Sequence, residues 1–185
     1  MDFSNKIGDY FSRLKQTIDA VSKEDISQLM NILLKAKGDG KTVFVMGNGG
    51  SASTASHYCC DFNKGISYGH EKMFKFICLN DNIPTMMAYA NDLGYEDIFV
   101  GPLRNFLQDG DLVIGISGSG NSINVVKALE YANQKGATTI GLTGYSGGKV
   151  KQICKYNVHI PINDMQITED MHMILDHCMM SILHH

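Results

Sequence analysis

Apolar residues recur at helical spacing in the first twenty positions, where Phe3, Ile7, Tyr10, Phe11, Leu14 and Ile18 form a stripe on an otherwise polar segment. That pattern predicts a helix with one face to dock. A second helix follows, with Ser22 as its N-cap, Asp25 at the capping-box position in place of Glu, and Ile26, Met30, Leu33 and Leu34 on its buried side. Gly38 and Gly40 end it. From Lys41 onward the pattern changes to short β-branched or apolar runs at 42–46, 74–79, 112–116, 138–142 and 157–160, separated by glycine-rich turns and segments of helical periodicity. Five strands alternating with helices require crossover connections, which predicts an α/β fold with a doubly wound parallel sheet flanked by helices. A last helix is expected over about residues 166–183. No fixed-period repeat and no Pro/Ser-rich linker interrupts the chain, so residues 1–185 read as one domain in which residues 1–38 supply two leading helices.

Composition narrows the function classes. A formal charge of -3 argues against affinity built on neutralising nucleic-acid phosphates. No run reaches the roughly 18 apolar residues of a membrane span, and the first residues lack an apolar signal core, so a cytoplasmic protein is expected. The five cysteines, Cys59, Cys60, Cys78, Cys154 and Cys178, are odd in number and without CxxC spacing, which predicts free and mostly buried thiols. His184 and His185 read equally as native residues or the stub of a tag.

The chemistry is concentrated in two loops and two helices. After the first strand comes Gly47-Asn48-Gly49-Gly50-Ser51-Ala52-Ser53, opening a helix whose unpaired N–H groups and positive dipole end suit an anion. The string fits G-x-G-x-x-A, but the ribose-binding acid that a dinucleotide site needs about 20 positions on is missing; the acid after the second strand, Asp81, lies well beyond. After the third strand, Gly115-Ile116-Ser117-Gly118-Ser119-Gly120-Asn121-Ser122 again opens a helix, with hydroxyls and backbone N–H groups able to converge on one phosphate. No G-x-x-x-x-G-K-[ST] motif is present, and a monophosphate on a small polar molecule fits better than a triphosphate.

His57 and Asp61 stand four residues apart on one helix face, and the last helix carries Glu169, Asp170, His172, Asp176 and His177 among apolar residues. His172 and His177 point about 140° apart, and His172 reads as the structural one. His57, Asp61, Glu169 and His177 make a nitrogen and oxygen set suited to zinc or another divalent ion, or equally a metal-free acid/base set. Asn91 and Asp92 before Gly94 read as a solvated turn or as a sugar contact.

On these residues the chain resembles the sugar isomerase (SIS) domain family, and most closely its phosphoheptose isomerase branch. The carriers are GNGGSASTASH from Gly47 to His57, ANDLGYEDIF from Ala90 to Phe99, GISGSGNS from Gly115 to Ser122, GLTGYSGG from Gly141 to Gly148, and EDMHMILDH from Glu169 to His177. The resemblance implies that Ser51, Ser117, Ser119 and Ser122 hold a sugar phosphate, with Gly118 where the isomerases usually have Thr, and that Asn48 and Asp92 contact the sugar. It further implies that His57, Asp61, Glu169 and His177 form the catalytic and metal cluster, with one zinc per subunit and no nucleotide cofactor. A homotetramer with active sites between subunits is implied too. Asp61 replaces the usual Glu and Glu169 the usual Gln, which keeps four ligands and raises the negative charge. The expected activity is aldose–ketose isomerisation of a sugar phosphate, sedoheptulose 7-phosphate to D-glycero-D-manno-heptose 7-phosphate, by enediol proton transfer, with Asp61 or Glu169 as base and His177 as acid. The alternative is a non-catalytic SIS sensor or scaffold that keeps only the phosphate cradle.

Overall fold

The computed structural model describes residues 1–184, so His185 lies outside the described residues. Helices α1 (Ser4–Ala20) and α2 (Lys23–Gly38) precede strand β1 (Thr42–Gly47), and α3 (Gly50–Cys60) runs directly into a π-helical turn, Asp61–Ile66, before β2 (Lys75–Cys78). Helix α4 (Ile83–Asp92), a 3₁₀ turn at Tyr95–Asp97 and α5 (Val100–Phe106) lead to β3 (Leu112–Ser117). Then come α6 (Ile123–Gln134), β4 (Thr138–Thr143), α7 (Gly148–Ile153), β5 (Tyr156–His159) and α8 (Met165–Leu183).

The sheet is five-stranded and parallel in the order β2-β1-β3-β4-β5, as the alternating pattern predicts. Strand order reverses between β1 and β3, which pair with Val43 opposite Leu112 and Gly47 opposite Ile116. In sheets of this kind a crevice opens beyond the carboxyl ends of the strands at that reversal, and both serine- and glycine-rich loops leave the sheet there. Strand alternation divides the core. Val43 and Val45 face a layer containing Leu33 of α2, Tyr58 of α3 and Met171 and Leu175 of α8, whereas Phe44 and Met46 face Leu103 of α5 and Val125 and Leu129 of α6.

Three local expectations change. The Ser22 cap is present, its hydroxyl accepting from the Asp25 N–H at 3.0 Å, but the buried face of α2 is Leu29, Leu33 and Ala36 while Leu34 is exposed. On α1, Tyr10 and Leu14 pack on the core, whereas Phe3, Ile7, Phe11 and Ile18 remain exposed, so only part of the stripe is covered within one chain. Cys59 and Cys78 are buried as expected, but Cys60 and Cys178 are exposed.

The π-helical turn was not legible in the pattern. It begins at Asp61 and inserts Phe62 between Tyr58, Phe74 and Phe76, with ring centroids 4.4 Å apart for Phe62 and Phe76. Asn63 then pairs with the edge strand β2, donating to the Phe76 carbonyl and accepting from the Phe76 N–H. These contacts fix the end of α3 where Asp61 must project, and π turns of this kind recur at functional positions.

Candidate functional site

Two adjoining regions make up the site. The first is the cradle. Ser117 ends β3, its hydroxyl lying 3.1 Å from that of Ser122 and accepting from the Gly120 N–H at 3.1 Å. Ser122 is the N-cap of α6, but its side chain makes no bond to that helix, which leaves the first N–H groups of a twelve-residue helix facing the loop. Gly120 has φ +68, and a Cβ there would lie 1.9 Å from the Gly147 carbonyl oxygen, so the loop conformation needs glycine. A cavity of about 280 Å³ is lined by Asn48, Ser51, Ser117, Gly118, Ser119 and Ser122, with Met165 and Glu169 of α8 on its far wall. The structure therefore brings together six of the seven residues expected to bind substrate.

Asp92 is the seventh, and it stands apart. It ends α4 in an exposed position, its carboxylate accepting from Asn91 Nδ2 at 2.7 Å. The residues that do approach the cradle from this region are Ala90 and Tyr95, which with Asn48, Gly49, Asn80 and Met87 line a neighbouring cavity of about 280 Å³. Tyr95 donates its hydroxyl to Asn48 Oδ1 at 2.9 Å, and Asn48 is locked to buried Asn124 by reciprocal amide bonds of 2.9 and 2.8 Å. Asn80 ties the end of β1 by donating to the Gly47 carbonyl and accepting from its N–H. Of these positioning residues, Tyr95 lies within the ANDLGYEDIF string, whereas Asn80 and Asn124 fall outside every motif quoted above.

The second region lies further along α3 and α8. Buried Tyr58 donates its hydroxyl to the His172 carbonyl at 3.0 Å, holding α3 against α8 beside the polar pair His57 and His177. Their Nε2 atoms are 3.1 Å apart. Asp61 Oδ2 approaches His57 Nε2 at 3.6 Å, as the i,i+4 spacing predicts, and Asp176 Oδ2 approaches it at 3.9 Å. One donor atom from each of His57, Asp61, Asp176 and His177 falls within 4.8 Å of all the others.

Glu169 was expected in this set, and the structure places it elsewhere. Its carboxylate lies against Gly50, so close that a Cβ on that glycine would sit 2.6 Å from Oε2. The N-terminal end of α3 favours a negative group, which accounts for the position. Asp176 takes the vacated place in the cluster. It is wholly buried, and neither of its carboxylate oxygens has a hydrogen-bond partner. Burial, and secondarily the Asp61 carboxylate, push its carboxyl up to about 7. Two imidazoles and two carboxylates, one of them buried and unsatisfied, suit a divalent ion of the zinc type. His172 behaves as the structural histidine of the helix, being 1% exposed, with burial driving its pKa down to about 4 against a weaker opposing effect of the Thr143 backbone.

A family model described as the SIS domain matches residues 8–144. The chain belongs to the SIS domain family. Among its SIS relatives, the phosphoheptose isomerase of Aliarcobacter butzleri is 34% identical over 87% of this chain and 85% of its own length. That of Trichlorobacter lovleyi is 35% identical over 92% and 86%. The solved phosphoheptose isomerase of Neisseria gonorrhoeae superimposes with a TM-score of 0.89 at 26% identity, covering 98% of each chain. The doubly wound sheet and the two leading helices of this SIS protein are thus shared with that enzyme along nearly the whole length. No helix among the described residues is long and apolar enough to cross a membrane.

Proposed function

We propose that the protein is a sugar-phosphate aldose–ketose isomerase, interconverting sedoheptulose 7-phosphate and D-glycero-D-manno-heptose 7-phosphate. The observation that carries this reading is the joint presence, at one end of one sheet, of a phosphate cradle free of cationic side chains and a set of imidazoles and carboxylates, in a chain related over most of its length to phosphoheptose isomerases. A sensor needs only the cradle.

The chemistry is a proton relocation. A base removes a proton from C1 of the ketose, giving an enediol, and a proton returns to C2 while the proton on O1 leaves and one arrives at O2. No electrons leave the substrate, so no nucleotide is required. Asp61 and Glu169 are the proposed bases, and the position of Glu169 on the wall of the serine-lined cavity supports it for a sugar whose phosphate the serines would hold. His177 is the group proposed to pass protons between the oxygens. Remote binding of the phosphate orients the reacting carbons without itself changing in the reaction. His57, Asp61, Asp176 and His177 would hold a divalent cation, which would supply Lewis-acid polarisation of the carbonyl and offset the negative charge that develops on its oxygen. Asn48, fixed by Asn124 and Tyr95, and Asp92 are the proposed sugar contacts.

Assembly as a homotetramer and a cytoplasmic location belong to the same proposal. Exposed Ile7, Phe11 and Ile18 on α1, with exposed Phe3 at its N-cap, support assembly, since four large apolar side chains along one face favour a partner. Exposed Asp92 is compatible with a site completed by a second copy. Cysteines without disulfide-type spacing support the compartment.

The test is incubation of purified protein with sedoheptulose 7-phosphate in deuterated water, followed by NMR. Deuterium at C1 or C2 together with aldose product is the expected result; bound ligand without exchange would leave the sensor reading standing. In the same assay Ser122→Ala should raise KM about 10- to 100-fold with little change in kcat, the loss of one hydrogen bond to a charged group.

A further inference from the structure

We propose that Asp176, rather than Glu169, is the fourth ligand of a divalent cation held with His57, Asp61 and His177. The inference deepens the isomerase reading by assigning the cation of that site, but it is testable without turnover.

Three observations point the same way. Asp176 is 0% exposed and both carboxylate oxygens lack a hydrogen-bond partner, an arrangement strongly unfavourable for an ionised group unless a cation stands beside it. Its Oδ2 faces into the histidine cluster, with a donor atom within 4.8 Å of those of His57, Asp61 and His177. The two imidazoles present Nε2 to Nε2 at 3.1 Å, so in the neutral state one lone pair has no proton to meet other than its neighbour's, whereas two neutral imidazoles directed at one cation are both satisfied. The other cation the cluster could offer is a protonated imidazole, and His57 is the one both carboxylates approach. It would have to serve Asp61 at 3.6 Å and Asp176 at 3.9 Å through the same nitrogen, both beyond hydrogen-bond length. Glu169 meanwhile lies away from this group of donor atoms, its carboxylate against Gly50 at the start of α3. The consequence is a division of labour, in which the cation's charge is balanced by Asp61 and Asp176, and Glu169 remains on the wall of the sugar-phosphate cradle.

The experiment is titration of metal-stripped protein with zinc by calorimetry and with cobalt by visible absorbance, for wild type, Asp176→Asn, Asp176→Leu and Glu169→Gln. Circular dichroism checks that each variant is folded. Removal of an outer-shell partner costs about 10- to 100-fold in metal affinity, so loss of a direct ligand should cost roughly 100-fold or more. Both Asp176 variants are expected to show that loss and a changed cobalt band, while Glu169→Gln keeps its affinity within about threefold of wild type. Asp176→Leu guards against misfolding, because it relieves the buried charge; it should melt at least as high as wild type without metal and gain nothing from zinc. Unchanged affinity in the Asp176 variants, the larger loss in Glu169→Gln, or no zinc binding by wild type would each overturn the assignment. Zinc bound through Asp176 in a protein that fails to exchange deuterium would sink the isomerase reading alone, and exchange without zinc binding would sink this one alone.

Discussion

His177→Gln should abolish deuterium exchange into sedoheptulose 7-phosphate, lowering kcat by about 10²- to 10⁴-fold, while the protein still binds the phosphate end of the sugar. The two effects separate because the two regions share no side chain. The cradle residues Ser51, Ser117, Ser119 and Ser122 are organised by the ends of β1 and β3 and the starts of α3 and α6, whereas His177 sits in the second half of α8 against His57. Gln preserves a polar atom near the imidazole position and so limits collapse of the helix pair, but it cannot take up and release a proton near neutral pH. Binding is read by displacement of sugar phosphate in calorimetry, turnover by NMR. Full activity in the variant would remove His177 from the mechanism. Loss of both binding and turnover would show that the histidine is a determinant of the fold at the α3 and α8 contact. That second outcome is checked by the thermal melt, since a folded variant with both defects would instead mean that His177 contributes to binding the sugar as well as to proton transfer.

How far the site could be read before the structure depended on whether its signal was local. The two cradle loops were legible because each is one contiguous string at a strand end, and parallel-sheet topology decides where strand ends gather. His57 and Asp61 were legible for the same reason, as an i,i+4 pair on a helix. Their partner His177 was legible too, whereas the carboxylate that α8 adds to the cluster was not. Glu169 and Asp176 both lie on α8 within reach of a polar cluster by periodicity, and the choice between them is made by what each meets across the helix interface: the start of α3 for Glu169, the end of α3 for Asp176. The exact entry into the π-helical turn at Asp61 contributes to that choice, and no propensity scale marks it. Asp92 shows the converse. Its motif is recognisable, yet within one chain its side chain faces solvent, so the family pattern locates the residue without supplying its contact. The buried face of α2 was legible in most of its residues: Leu33 is buried and Ile26 and Met30 pack against the core, but Leu34 is exposed and Leu29 and Ala36 are covered instead, a rotation that only the sheet decides.

Acid should destabilise this protein through His172. The imidazole is buried on α8, and its pKa is lowered from about 6.5 to about 4 by burial, so the folded state holds it neutral where the unfolded chain would already be protonated. The stability tied to the neutral form is therefore fully present above pH 6.5 and is lost as pH falls from there towards 4. At pH 4.5 the loss amounts to about 2–3 kcal/mol relative to pH 7, by the usual linkage of one group. His172→Gln, neutral at every pH, removes that dependence even if it lowers the absolute stability by placing an amide in an apolar layer among Met171, Leu175 and Met179. Urea unfolding at a series of pH values, with metal removed so that the neighbouring cluster does not contribute cation binding, should give wild type a steeper acid limb than the variant by that amount. Parallel limbs would mean that His172 is protonated within the fold. The structural histidine of α8 would then have to be given a counter-charge, and Asp176, one turn further along the same buried face, is the group that would supply it.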